Sequence, residues 1–170
     1  GDRTMTSIIK VDQIQTLAGA APTAADLGIN VTGSVLQVVQ TATTATATTT
    51  SGTFSATGLS ATITPSLTSS KVLVMVSGGM EGAAGGSSYQ VVQFKVYRNG
   101  TSIEGSTFGK RIYLSPNLYT ILDFKQLDSP SSTSALTYAL YFARQAGDGT
   151  SSWNRDGGAT VTLILMEIAG

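Results

Sequence analysis

Along "YQVVQFKVYRNGTSIEG" (89–105) apolar and polar positions alternate, with Val92, Phe94 and Val96 on one side of an extended chain and Gln93 and Lys95 on the other. Alternation with a period of two marks a half-buried strand. Asn99-Gly100 comes next, the pair that best suits a type I′ turn, and predicts a tight hairpin into "TSIE". The same texture recurs at "SVLQVVQ" (34–40), "LSATIT", "KVLVMVSGG", "RIYL", "LYTILDFKQL", "SALTYALYFAR" and "ATVTLILMEI". Clusters such as "SPN", "DSPSSTS" and "GDGTSSWNRDGG" punctuate these runs as turns. About eight strands with no long helical period predict an all-β chain, an antiparallel β-sandwich of jelly-roll type.

Two strands depart from the rule of one apolar face. In "KVLVMV", Val72, Val74 and Val76 share one side while Leu73 and Met75 share the other. In the last strand Thr162, Ile164, Met166 and Ile168 oppose Val161, Leu163 and Leu165. A two-layer sandwich leaves one such face wet, and a large exposed apolar strip marks an interface. Leu73, Met75, Val161, Leu163 and Leu165 are therefore expected to form a seam with further copies of the chain. The alternative is a central strand covered by the N-terminal arm or a long loop. Seven of residues 41 to 50 are threonine, which favours extended backbone and a solvated face, as in a polar edge strand or loop.

Residues 5 to 33 differ from the rest of the chain. "SIIKVDQIQTLAG" carries strand formers, Ile8, Ile9, Val11 and Ile14, but no partner strand comes next. Thr23, Asp26 and Gly28 suit one capped helical turn, which needs something to dock on. "GDRT" before Met5 reads as an expression remnant. The expected division is residues 1–33 as remnant and attachment or oligomerisation arm, and 34–170 as the sandwich.

Composition narrows the function. Of 170 residues 41% are hydrophobic, enough for a core, and only 12% are charged, about half the usual share. Ten basic residues balance ten acidic ones, without the basic stripe that a nucleic-acid binder needs. There is no cysteine and no histidine, so disulfides, Cys-based zinc sites and His-dependent catalysis are excluded. Apolar runs such as "VLVMV" are strand-length, far below the roughly 20 residues of a membrane-spanning helix, and no membrane insertion or signal peptide is expected.

Candidate chemistry is sparse. Glu81, Glu104, Asp123, Asp128, Asp148, Asp156 and Glu167 form no recognisable catalytic pair, and no enzyme, metal or cofactor is expected. "GGMEGAAGGSSY" (78–89) lacks the strand–loop–helix setting of a phosphate loop and reads as a flexible loop. "DGTSSWNRDGG" (148–158) sets the only tryptophan, Trp153, beside Asn154, Arg155 and Asp156. An indole stacked on a sugar, with the polar neighbours bonding hydroxyls, makes a receptor site; equally, Trp153 can fold back to cover the sandwich end or a subunit seam. Asp148 and Asp156 lack the spacing of an EF-hand Ca²⁺ loop. Tyr89 is a further candidate contact, with Tyr113 and Tyr119 flanking other loops.

"SIIKVDQIQTLAGAAPTAADLGINVTGSVLQVVQ" resembles the openings of structural proteins of marine and environmental bacteriophages, in which a "KVD-x-IQ" stretch recurs in tail-fibre-like chains. "ATGLSATITPSLTSSKVLVMVSG", "FKVYRNGTSI" and "ATVTLILMEI" resemble the β-sandwich body of the same proteins. The resemblance spans nearly the whole chain from Met5 and implies a virion protein. The expected role is a homotrimeric tail fibre or receptor-binding adhesin that recognises a host-surface glycan or protein without catalysis. Its arm would join other virion proteins. The alternative is a capsid decoration or cement protein. A carbohydrate-binding module or a C1q/TNF-like trimeric ligand of a cellular organism ranks third.

Overall fold

A computed structural model describes residues 32–82, 89–105, 109–115, 117–155 and 159–170. Ile8, Ile9, Val11 and Ile14 lie outside the described residues. The chain divides into two compact units, Gly1–Thr32 and Gly33–Gly170. The described residues of the second form eleven strands: β1 (Val35–Thr43), β2 (Ala47–Thr49), β3 (Ser55–Ile63), β4 (Lys71–Gly82), β5 (Gln90–Arg98), β6 (Thr101–Ser102), β7 (Lys110–Leu114), β8 (Leu118–Asp128), β9 (Leu136–Ala146), β10 (Ser151–Trp153) and β11 (Val161–Ile168). All pairings are antiparallel.

In the first sheet β8 and β11 flank β4, and β1 lies beyond β11; β10 and β2 extend the sheet past the end of β11. The second sheet runs β3-β9-β5, with β7 and β6 sharing the far edge of β5. With β2, β6 and β10 set aside, eight main strands remain. Counted in chain order, the first, eighth, third and sixth make one sheet, and the second, seventh, fourth and fifth the other. That is the double Greek key of a jelly roll, as the sequence predicts.

Inward-facing residues of both sheets fill the space between them. Val72, Val74 and Val76 of β4 meet Val92, Phe94 and Val96 of β5 and Tyr138, Leu140 and Phe142 of β9 in one cluster. Each fully buried Leu or Phe contributes about 1.5–3 kcal/mol relative to exposure. At Asn99-Gly100 both residues have positive φ (48° and 82°), as the type I′ turn requires. The turn is tied to β9, because Asn99 N–H donates to Thr137 C=O (2.9 Å) and Asn99 Oδ1 accepts from Thr137 N–H (2.8 Å).

Three expectations need correcting. β11 faces the opposite way to the predicted seam: Val161, Leu163 and Leu165 are buried in the core, and Ile164, Met166 and Ile168 point outward, half-buried. Leu163 pairs with Val76 and Leu165 with Val74, and directly opposed residues share a face. A Leu163→Asp change would therefore charge the core and is no test of a seam. Second, β5 is buried on both sides. Lys95 is 9% exposed, donates to Gly105 C=O (2.9 Å) and lies 5.2 Å from the Phe54 ring centre, so the turn after β6 and the β2–β3 connection cover it. Third, glycines 78, 79 and 82 are not loop but the far end of β4. A Cβ at Gly78 would collide with the Trp153 ring and meet Val161 Cγ1 at 2.6 Å, so only glycine lets those side chains lie against the strand.

Polar residues close one end of the core. Glu167, in phase with Val161, Leu163 and Leu165, is fully buried. It accepts from Gln37 Nε2 (2.6 Å), Ser66 N–H (2.6 Å), Ser66 Oγ (3.2 Å) and Ser70 Oγ (2.7 Å), tying β1 and the β3–β4 connection to β11. On the other side of β4, Asp128 accepts from Arg98 (2.5 Å) and from Tyr138 Oη (2.7 Å), which links the two sheets. Burial, with the Asp128 carboxylate alongside, pushes the Tyr138 phenol far above its ordinary range. Burial alone would raise the Glu167 carboxyl, but its bonds from Gln37, Ser70 and Ser66 outweigh that and hold it below its ordinary 4.5.

A depressed carboxylate stabilises the fold above its unfolded pKa, and that contribution is lost as pH falls through the folded value. Denaturant midpoints measured against pH should therefore drop below about pH 4.5. Glu167→Gln should cost about 2–4 kcal/mol at neutral pH and remove its share of that acid dependence. An unchanged acid limb in the variant would show that Glu167 does not carry it.

Candidate functional site

The predicted receptor loop folds largely inward. Residues Ser151–Trp153 pair with both β4 and β2, and Trp153 stands opposite Met80 on the core face. Its indole is fully buried, with its centre 5.9 Å from that of Phe94, so it is a core residue and not a stacking platform. Asn154 is 4% exposed and holds the chain in a left-handed turn (φ 50°). Its N–H donates to Gly79 C=O (2.9 Å) and its Nδ2 to Ala159 C=O (2.9 Å). Arg155 reaches the surface and pairs with Glu81, whose side chain is only 2% exposed. Asp156 lies outside the described residues. Tyr89, just before β5, is 48% exposed.

Most of the described candidate carboxylates are bonded within the fold. Besides Glu167, Asp128 and Glu81, Glu104 accepts from Val96 N–H (3.2 Å) and Ser102 Oγ (3.3 Å), and Asp123 pairs with Lys125 (3.9 Å). Among the described residues no group of three or more His, Cys, Asp or Glu could hold a metal ion.

What remains are the outer faces of the two sheets, and they differ in chemistry. On the first, strand register places Val38, Met166, Leu73 and Leu127 side by side across β1, β11, β4 and β8. Four strands at about 4.8 Å spacing make this row about 15 Å wide. Ile164 and Met75 form the next row, followed by Lys125 on β8. Val38 is 55% and Leu127 47% exposed, while Leu73, Met75, Ile164 and Met166 are half-buried. Leu73 and Met75 thus share this outer face with Ile164 and Met166 of β11, and Val161, Leu163 and Leu165 do not. Towards the β10 end the face turns polar, with Ser77, Glu81 and Ser152, although Ile121 there is 76% exposed.

The second sheet carries aromatic side chains outside. Tyr97 and Tyr141 stack with ring centres 4.1 Å apart, and Phe54 extends the row 6.4 Å from Tyr97. Burial raises the Tyr97 phenol pKa, with Tyr141 and Glu104 adding to the shift. Small residues lie beside the rings, since Tyr97 opposes Ala139, Ala139 opposes Ser60, and Tyr141 opposes Ala56. This cluster was readable in principle: Tyr97 is in phase with Gln93 and Lys95, the outward side of β5.

No protein-family model matches the chain, and no curated protein matches it in sequence. Among solved structures it is similar to one titled "Structure of infectious bursal disease virus Gx strain", at 14% identity and a TM-score of 0.44, covering 79% of this chain and 37% of that one. It is also similar to the CBM22-1 xylan-binding domain from Paenibacillus barcinonensis Xyn10C, at 16% identity and a TM-score of 0.38, covering 82% and 98%. The sandwich itself is read from the strand pairing.

The Arg155–Glu81 pair offers a test of the local electrostatics. Arg155→Ala would leave a buried carboxylate without its cation, at a cost of about 1–3 kcal/mol, reduced from the fully buried case because Arg155 is half exposed. Adding Glu81→Gln should recover part of that loss in urea unfolding. A double variant no more stable than Arg155→Ala alone would show that charge is not what the pair supplies.

Proposed function

We propose that the protein is a structural protein of a virion, a tail-fibre or receptor-binding adhesin without catalytic activity, built by self-association of its sandwich. The observation that carries this reading is the apolar outer face of the β1-β11-β4-β8 sheet. Six apolar side chains on adjacent strands there have no partner layer among the described residues, and such a strip marks an interface. The occupant we infer is a second copy. The face bears two bases, Lys71 and Lys125, and two acids, Asp123 and Glu81, and the chain balances ten acidic and ten basic residues, so like faces meet without net repulsion. Around a threefold axis each subunit presents this face to the centre, its two margins meeting those of its neighbours head to tail, and the closed ring leaves no open end. The resemblance of the opening segment and sandwich phrases to phage tail-fibre-like chains supports placement on a particle, where the N-terminal segment would join other virion proteins.

Light scattering on a sizing column should give three times the 17.5 kDa chain mass. Leu73→Lys combined with Met166→Lys should split that assembly while the monomer stays folded, because both side chains already face outward. A wild-type monomer at every concentration, or an assembly that survives the double variant, would overturn the seam.

A further inference from the structure

We propose that the outer face of the β3-β9-β5 sheet binds a neutral saccharide, on a ledge walled by Tyr97 and Tyr141 and floored by small residues. The inference names a ligand for the adhesin reading and does not depend on the assembly.

Two features create the ledge. The stacked rings of Tyr97 and Tyr141 stand together on β5 and β9, half-buried, with centres 4.1 Å apart. On the β3 side of them the surface drops to Ala139, Ser60 and Ala56. The register of β3 on β9 breaks between Ala56 and Ser60, so the segment between departs from regular pairing beside the rings. Gly58 takes φ 87° there, and Thr57 Oγ1 turns inward to donate to Leu140 C=O (3.0 Å). Irregularities of this kind re-aim side chains at sheet margins and next to binding sites.

The chemistry selects the ligand. Tyrosine offers an apolar ring with a polar tip, suited to a ligand that joins a C–H face to hydroxyls. Further hydroxyls line the floor: Ser60 is exposed, and Thr62 and Thr137 form an exposed pair with oxygens 2.8 Å apart. Hydroxyl pairs donate and accept equally well, which fits a polyol. An anionic sugar is not favoured, because the cation opposite Tyr141, Lys95, is 9% exposed and already bonded to Gly105 C=O. A sugar ring with neutral hydroxyls meets each of these requirements.

The full chain would be titrated with neutral hexasaccharides of glucose, xylose and mannose, and with a uronic-acid hexasaccharide, following tyrosine side-chain NMR shifts. At least one neutral glycan should shift the Tyr97 and Tyr141 resonances, and the acidic one should not. Tyr141→Ala should weaken binding about tenfold, the effect of one lost aromatic contact. Ser60→Trp, at an exposed position where the fold tolerates bulk, should block the ledge, whereas Tyr119→Ala on the other sheet should change nothing. No shift with any neutral glycan at millimolar concentration, or binding that survives both ledge variants, would overturn the proposal. A monomer that binds glycan would overturn the seam alone, and a trimer that binds none would overturn the ledge alone.

Discussion

The buried carboxylate of Glu167 decides which way the last strand faces. β11 is apolar on both sides, so hydrophobicity alone barely distinguishes its two orientations, and a shift by one residue would exchange them. Glu167 removes that freedom. A carboxylate brought out of water costs several kcal/mol unless its oxygens are satisfied, and only one orientation brings it to Gln37, Ser66 and Ser70. With Glu167 inward, Val161, Leu163 and Leu165 must also point inward, and Ile164 and Met166 must line the outer surface. The same bonds hold β1 and the β3–β4 connection, so the orientation of one strand is coupled to the closing of one end of the sandwich.

This explains why the architecture was legible in the sequence while one face was not. Alternation in β5, the Asn99-Gly100 turn and the spacing of turn clusters point to an antiparallel sandwich, and the jelly roll follows from them. For β11 a sound general rule points the wrong way. Glu167 is in phase with Val161, Leu163 and Leu165, and an acid in a strand ordinarily marks the wet side. Its donors lie about a hundred residues away in the chain, at Ser66 and Ser70, and about 130 away at Gln37, so no local pattern reveals them. Leu73 and Met75 do point outward, because the first six residues of β4 hold no such buried acid.

Of the two readings of the Trp153 loop, the one in which the indole folds back holds for a related reason. Trp153 beside Asn154, Arg155 and Asp156 has the composition of a sugar-binding loop, yet three residues of it, Ser151 to Trp153, find backbone partners on both β4 and β2. Satisfying those backbone groups turns the indole into the core. The aromatic surface lies instead on the opposite sheet, where Tyr97, in β5, and Tyr141, 44 positions later in β9, meet through strand pairing. The two exteriors thus differ in chemistry: one is broad and apolar, the other aromatic and hydroxylated.

Gly78 and Trp153 together also equip the molecule with an optical gauge of its own integrity. The lone indole brings its six-membered ring against a bare stretch of β4 at Gly78, sealed from solvent beside Phe94. Its emission should be blue-shifted and shielded from aqueous quenchers for as long as the sheets stay closed. Because neither outer face touches it, ligand or neighbour can come and go without altering that glow. A red shift would report one event only, the parting of the sandwich.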